Sequence, residues 1–163
     1  MEIKIESSKY GSFIALVDDA DRDLVSQYKW SIAFTNKGRS PYVCTAIRGV
    51  KRPWITLRLH RLIMDARDPK LLVDHINHDT LDNRRSNLRV CSHSENNQNS
   101  TIRKKNKAGL KGTYFHPKTG KFGAQIQVRK SKIFLGLYPT AIEAHEAYRQ
   151  ASIKYHGDFA CFE

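Results

Sequence analysis

Val73-Asp74-His75-Ile76-Asn77-His78-Asp79 is followed at short range by Asp82-Asn83-Arg84-Arg85-Ser86-Asn87-Leu88-Arg89-Val90 and then by Ser94-Glu95-Asn96. A short apolar run beginning at Leu71 ends in Asp74-His75, a second run from Leu88 to Val90 has strand character, and a polar loop joins them. Ser92-His93-Ser94-Glu95 has the spacing of a capping box, so a helix is expected to start there with Asn96 on its first turns. The stretch thus predicts strand, loop, strand and helix in quick succession. Its helix has almost no apolar stripe, so the unit cannot bury enough surface to fold alone and needs the preceding strands, or a metal, to hold it.

Upstream, four apolar runs at 12–17, 28–34, 42–47 and 54–59 read as strands. The connecting stretches 36–41 and 48–53 are basic, the first with glycine and proline suited to a hairpin. Trp30 and Trp54 are expected in the core. Downstream, residues 99–108 are polar and basic without a hydrophobic period and read as part of a linker, with Arg103, Lys104 and Lys105 as candidate phosphate contacts. In the last segment Ala124, Ile126 and Val128 alternate with Gln125, Gln127 and Arg129, and 132–135 repeats the pattern, leaving Lys132 and Phe134 on the outward face. Pro139-Thr140-Ala141-Ile142-Glu143 supplies a second capping box ahead of a mostly alanine stripe ending near Gly157, which predicts three strands backed by one helix.

The fold class expected is therefore α+β, with a first domain over 1–98, a linker over 99–109 and a second domain over 110–163. The 163 residues carry a formal net charge of +12, and in a soluble protein such a balance implies a polyanionic partner. Its distribution is uneven: 13 Lys and Arg against 8 Asp and Glu over 1–70, 3 against 4 over 71–100, and 12 against 4 over 101–163. Acid is relatively enriched only around Asp74-His75, which suits a basic grip on DNA around a locally neutral pocket, although acids that merely solvate a loop would read the same way. No apolar run is long enough to span a membrane and no secretory signal is evident, so a cytosolic location is expected. Cys44, Cys91 and Cys161 form neither a CxxC zinc pattern nor an even disulfide set and read as packing residues.

Cleaving a phosphodiester needs an activated water, a cation on the phosphate oxygens and rigid alignment of both. His75 is suited to take a proton near neutrality, and Asp74 offers a hard oxygen to one divalent cation, Mg²⁺ or Mn²⁺. Asn96 can add a neutral carbonyl oxygen, and Asn87 can pin the intervening loop or orient the imidazole. His60, His78 and His93 are expected to be structural or solvated, and Asn83 to form a turn. Arg84, Arg85 and Arg89 either clamp phosphate or decorate the loop.

Asp-His, eleven intervening residues, Asn, eight intervening residues and Asn, with the Arg-Arg-Ser-Asn-Leu-Arg run before the second strand, resembles the HNH endonuclease family in its Asn-ended variant. The likeness covers residues 60–100, and Leu59-His60-Arg61-Leu62-Ile63 is reminiscent of phage and intron-encoded members. It implies a ββα-metal fold with His75 as general base, Asp74 and Asn96 on a single metal, and Asn87 as the structural Asn. Residues 110–163 resemble the ethylene-response-factor type of DNA-binding domain found on some homing endonucleases. By that similarity Lys111, Tyr114, His116, Lys118, Gln125, Gln127, Lys132 and Phe134 meet double-stranded DNA. The reading is a monomeric, site-directed nicking enzyme without a small-molecule cofactor. The alternative is a DNA-binding regulator on an inactive HNH fold. An RNA-binding zinc module is disfavoured because no Cys pair accompanies the histidines.

Overall fold

The computed structural model describes residues 1–35, 40–49, 53–102, 106, 108–129 and 131–162, so the expected phosphate contacts Arg103, Lys104 and Lys105 lie outside the described residues. The chain divides into two compact units, Met1–Ser92 and His93–Glu163. Helix and strand mix in both, with small antiparallel sheets, as an α+β class requires.

In the first unit, β1 (Glu2–Ser7) and β2 (Gly11–Leu16) form a hairpin. A short helix α1 (Arg22–Ser26) then leads to the three-stranded sheet β3 (Ser31–Thr35), β4 (Ser40–Ile47) and β5 (Ile55–Arg58), with β4 in the middle. Helix α2 (Leu59–Ile63) follows directly, and β6 (Leu72–His75) pairs with β7 (Leu88–Cys91). Alternation decides the faces. On the central sheet Ile32 and Val43 point to a core shared with Ile5, Ala15, Val17, Val25, Leu59, Ile63 and Leu88. Each fully buried aliphatic side chain there contributes about 1.5 to 3 kcal/mol.

Strand β1 was not among the expected strands, although Ile3 and Ile5 alternate with Glu2, Lys4 and Glu6. Trp30 packs against the core, its indole N–H donating to the Val25 carbonyl at 2.9 Å. Trp54 corrects the expectation: it is 66% exposed, because it precedes the edge strand β5 rather than lying within the sheet.

The second unit opens with α3 (His93–Gln98), which begins one residue after Ser92. Three antiparallel strands, β8 (Thr113–His116), β9 (Lys121–Val128) and β10 (Ser131–Tyr138), lie in the order β10-β9-β8. Helix α4 (Ala141–His156) packs on them through Tyr148 and Ala151, which meet Ile126, Val128, Ile133 and Leu135. Its capping box is formed at both ends, the Thr140 hydroxyl accepting from the Glu143 amide at 3.2 Å and the Glu143 carboxylate accepting from the Thr140 amide at 3.2 Å. Gly112 is required where it stands: a Cβ there would fall 2.0 Å from the Tyr148 ring, and its φ is +76°. Cys44, Cys91 and Cys161 are buried, and none is in a disulfide among the described residues. Among the described residues no helix is long and apolar enough to cross a membrane.

Candidate active site

Asp74 and His75 end strand β6, where Asp74 lies opposite Arg89 and His75 opposite Leu88. Successive residues of a strand face opposite ways, so neighbours in sequence occupy different surroundings. On its side, the Asp74 carboxylate accepts from Arg89 Nε at 3.0 Å and Nη2 at 2.8 Å, both on Oδ2. This ion pair is largely buried. The His75 ring meets two aromatic neighbours, His60 at 5.1 Å between centroids and Tyr42 at 6.1 Å, both edge-on. Tyr42 also meets His60, at 5.5 Å.

Burial holds His75 below the usual histidine range, opposed by the Asn83 side chain and by the charges of Asp74, Asp79 and Asp82. Asn83 Oδ1 is buried without a well-formed hydrogen bond, yet the residue lies close enough to favour the protonated imidazole. His60, equally buried, has no carboxylate among the described residues to offset burial. Its pKa is pushed down to about 3, by burial first and then by His75, Arg58 and Arg61.

The loop between β6 and β7 is held by its own polar groups. Asn87 Oδ1 accepts from the Asn77 amide at 3.0 Å while Asn87 Nδ2 donates to the Asp82 carbonyl at 2.7 Å, so one side chain ties both arms of the loop. Arg84 forks onto Asp82 at 2.8 and 2.7 Å, holding that carboxyl below the usual range. The N-terminal strands buttress the same loop. Leu16 exchanges backbone hydrogen bonds with Leu81 (2.9 Å) and Asn83 (2.7 Å), Arg85 forks onto Asp21 at 3.0 and 2.7 Å, and the Thr80 hydroxyl donates to the Pro41 carbonyl. Arg84 and Arg85 thus have their guanidinium groups on carboxylates, with about half of each side chain still exposed, 48% and 52%.

Asn96 sits half-buried on α3, in the second unit. Also in that unit, pairing of Tyr114 with Gly123, of Phe134 with Gln125 and of Lys132 with Gln127 sets Tyr114, His116, Gln125, Gln127, Lys132 and Phe134 on one face of the sheet. Phe134 is 60% exposed there. Lys118 is exposed in the turn between β8 and β9, His116 Nδ1 lies 2.9 Å from the Thr119 hydroxyl, and Lys111 donates to the Gln98 carbonyl at 3.0 Å.

Sequence reasoning passed over Tyr42 and His60 as neighbours of His75. A signal existed for His60: Leu59 and Ile63 are both core residues of α2, and a histidine next to such a stripe on a single-turn helix is carried inward with it.

Among the described residues no group of three or more His, Cys, Asp or Glu is arranged to hold a metal ion. The donors present are of another kind. They comprise one hard carboxylate, paired with Arg89, and neutral oxygen and nitrogen donors in the motif, a set compatible with a divalent cation that keeps much of its water.

Residues 58–98 match the family model described as HNH endonuclease, and HNH nucleases generally use a divalent metal. An uncharacterised HNH endonuclease of Acanthamoeba polyphaga mimivirus is 27% identical over 144 residues, covering 84% of this chain and 67% of the viral protein. No solved structure matches the chain. The family match and the viral relative together support a DNA-cleaving enzyme with an HNH endonuclease domain.

Proposed function

We propose that the chain is a site-directed, divalent-metal-dependent endonuclease of the homing type, acting on double-stranded DNA and nicking one strand at each active site. The observation that carries this reading is the placement of Asp74 and His75 at the end of one strand, with Asn87 tying the loop that follows, inside the segment that matches the HNH family.

In this reading His75 takes a proton from the attacking water. Burial keeps its ring neutral, and therefore able to accept, at pH 7. Asp74 and Asn96 hold one divalent cation, Mg²⁺ or Mn²⁺, as parts of a ββα-metal unit formed by β6, β7 and α3. When bound, the cation supplies charge stabilisation at the phosphate oxygens. Asn87 fixes the loop, and Arg89 orients the Asp74 carboxylate. Domain limits of 1–98 and 110–163, with a basic linker at 99–109, divide the labour between cutting and holding.

The holding part is an ethylene-response-factor-like sheet. Tyr114, His116, Gln125, Gln127, Lys132 and Phe134 share one face of it, as a groove-reading surface requires. Lys111 and Lys118 flank that face. Arg84, Arg85, Arg103, Lys104 and Lys105 complete the phosphate contacts. The enzyme works as a monomer in the cytosol of a phage-infected or host cell.

The test is a supercoiled plasmid carrying candidate target sites, incubated with the purified protein and Mg²⁺ or Mn²⁺ and, in parallel, with EDTA. Nicked circles are expected only with the metal. His75→Ala is expected to abolish nicking while duplex binding, read by anisotropy, stays intact. Nicking by His75→Ala at the wild-type rate removes His75 as the base, and metal-independent binding without any nicking points to a regulator instead.

A further inference from the structure

The core claims only one face of the β3–β4–β5 sheet. The other is concave, with a cavity of about 450 Å³ whose floor is Ala33, Thr35, Cys44 and Thr56 and whose walls are Tyr42, Arg58 and Arg61. Register explains the grouping: Ala33 pairs with Tyr42 and Cys44 with Arg58, so small side chains of β3 and β4 stand beside one aromatic ring and one guanidinium on the same face. Small residues let a ligand approach the sheet closely. The lining offers donors and two positive charges, with no carboxylate.

The two arginines differ. Arg61 donates to the Leu71 and Asp68 carbonyls at 2.8 and 2.9 Å and to the Ala66 carbonyl, so its hydrogen bonds close the loop after α2. Arg58 is exposed, lies 5.4 Å over the Tyr42 ring, and has no carboxylate partner among the described residues. An arginine stacked on an aromatic ring is held in place while its fork stays open to an anion. The same Tyr42 ring also neighbours His75, at 6.1 Å between centroids. One side chain is therefore shared by the cavity lining and the surroundings of the candidate base.

We propose that this cavity is a phosphate-binding subsite, in which Arg58 and the Thr56 hydroxyl, two residues apart on one face of β5, hold a phosphodiester of the substrate strand next to the one that His75 addresses. Phosphates recur about every 3.4 Å of axis along a strand, so a strand with one phosphate at His75 presents its neighbours within side-chain reach of Tyr42. The subsite fixes the strand's position beside the base. The assignment rests on DNA being the substrate, but binding can be read without turnover, so it and the identity of the base fail separately.

The full-length protein is titrated into a fluorescent 30-base-pair duplex of mixed sequence, in EDTA, over a series of salt concentrations. Arg58→Ala is expected to reduce the magnitude of the slope of log K against log salt by about 0.9, the loss of one phosphate contact. Arg58→Lys keeps the slope. Arg22→Ala is the charge control, since Arg22 is exposed and pairs with Asp19 at 3.4 Å, and it leaves the slope unchanged. Thr56→Glu, at an exposed edge-strand position, is expected to weaken binding at least tenfold without altering the tryptophan-monitored melt. A slope for Arg58→Ala equal to that of the wild type or of Arg22→Ala overturns the subsite, as does wild-type affinity in Thr56→Glu. Failure of the wild type to bind duplex overturns both the subsite and the DNA-cleaving assignment.

Discussion

His60 makes the first unit sensitive to acid in a window where carboxylates do not yet titrate. Its imidazole is 3% exposed, packed edge-on against His75 and Tyr42 and faced by the charges of Arg58 and Arg61, and its pKa falls from 6.5 to about 3 on folding. A depressed histidine pKa means that the unfolded chain binds the proton more readily than the native one. Stability from the neutral ring is therefore complete above pH 6.5 and is lost as pH falls toward about 3. Each pH unit in that range costs about 1.4 kcal/mol, so the ceiling is about 5 kcal/mol and the loss between pH 7 and pH 5 is about 2 kcal/mol. Both tryptophans, Trp30 and Trp54, lie in Met1–Ser92, so fluorescence in urea reports on this unit alone. His60→Phe keeps a ring against Tyr42 and removes the titration. The variant should lose about 2 kcal/mol less than the wild type between pH 7 and pH 5, while His75 contributes to both proteins alike. Equal losses in the two proteins would refute the reasoning, because they would mean that the native unit admits a proton at position 60.

Asn87→Ala removes the acceptor for the Asn77 amide and the donor to the buried Asp82 carbonyl; a loss of about 1 to 3 kcal/mol is expected in the same urea assay. Gly112→Ala drives a methyl group into the Tyr148 ring at a backbone of positive φ, and should lower the stability of the second unit by about 3 kcal/mol, read by far-ultraviolet circular dichroism. Phe134→Ala acts at a side chain that is 60% exposed and should change stability by no more than about 0.5 kcal/mol, while weakening duplex binding measured by anisotropy.

What the sequence made legible was local. Alternation at 124–129 and 132–135 predicts the faces of β9 and β10, since one strand needs nothing beyond its own period to sort its side chains, and the Thr140–Glu143 box marks the start of α4 by hydrogen bonds within four residues. Helix α1 was not anticipated, because five residues are too few to show a helical period. The supports of the candidate site were invisible for a different reason. Arg85 reaches Asp21 across 64 positions and Thr80 reaches Pro41 across 39, and no spacing rule couples residues so distant. The sequence singles out Asp74, His75 and Asn87 by type and interval, but the fold determines that His75 is enclosed by Tyr42 and His60 and that Asp74 faces Arg89.

His60 and His75 are buried to nearly the same degree, 3% and 4% exposed, with ring centroids 5.1 Å apart, yet they suit different roles. Burial alone would drive both far down. At His60 every charged neighbour, Arg58, Arg61 and His75, acts in the same direction as burial, and the ring is too weak a base to take a proton from water near neutrality. At His75 the neighbours oppose burial: Asn83, Asp74, Asp79 and Asp82 all favour the imidazolium, although burial still holds the ring below the usual histidine range. The acids of the loop therefore set the strength of the candidate base as well as the shape of its surroundings. Nicking by the wild type should lose activity only below pH 6.5, on the acid limb of the kcat/KM profile. Asp79 tests the mechanism because it is exposed and its side chain accepts from the Leu81 amide at 2.9 Å, a bond that an amide oxygen can also accept. Asp79→Asn removes one charge favouring the imidazolium, so the acid limb should move to lower pH while the tryptophan-monitored melt stays unchanged. Movement of the limb to higher pH in Asp79→Asn would mean that something other than His75 governs the profile.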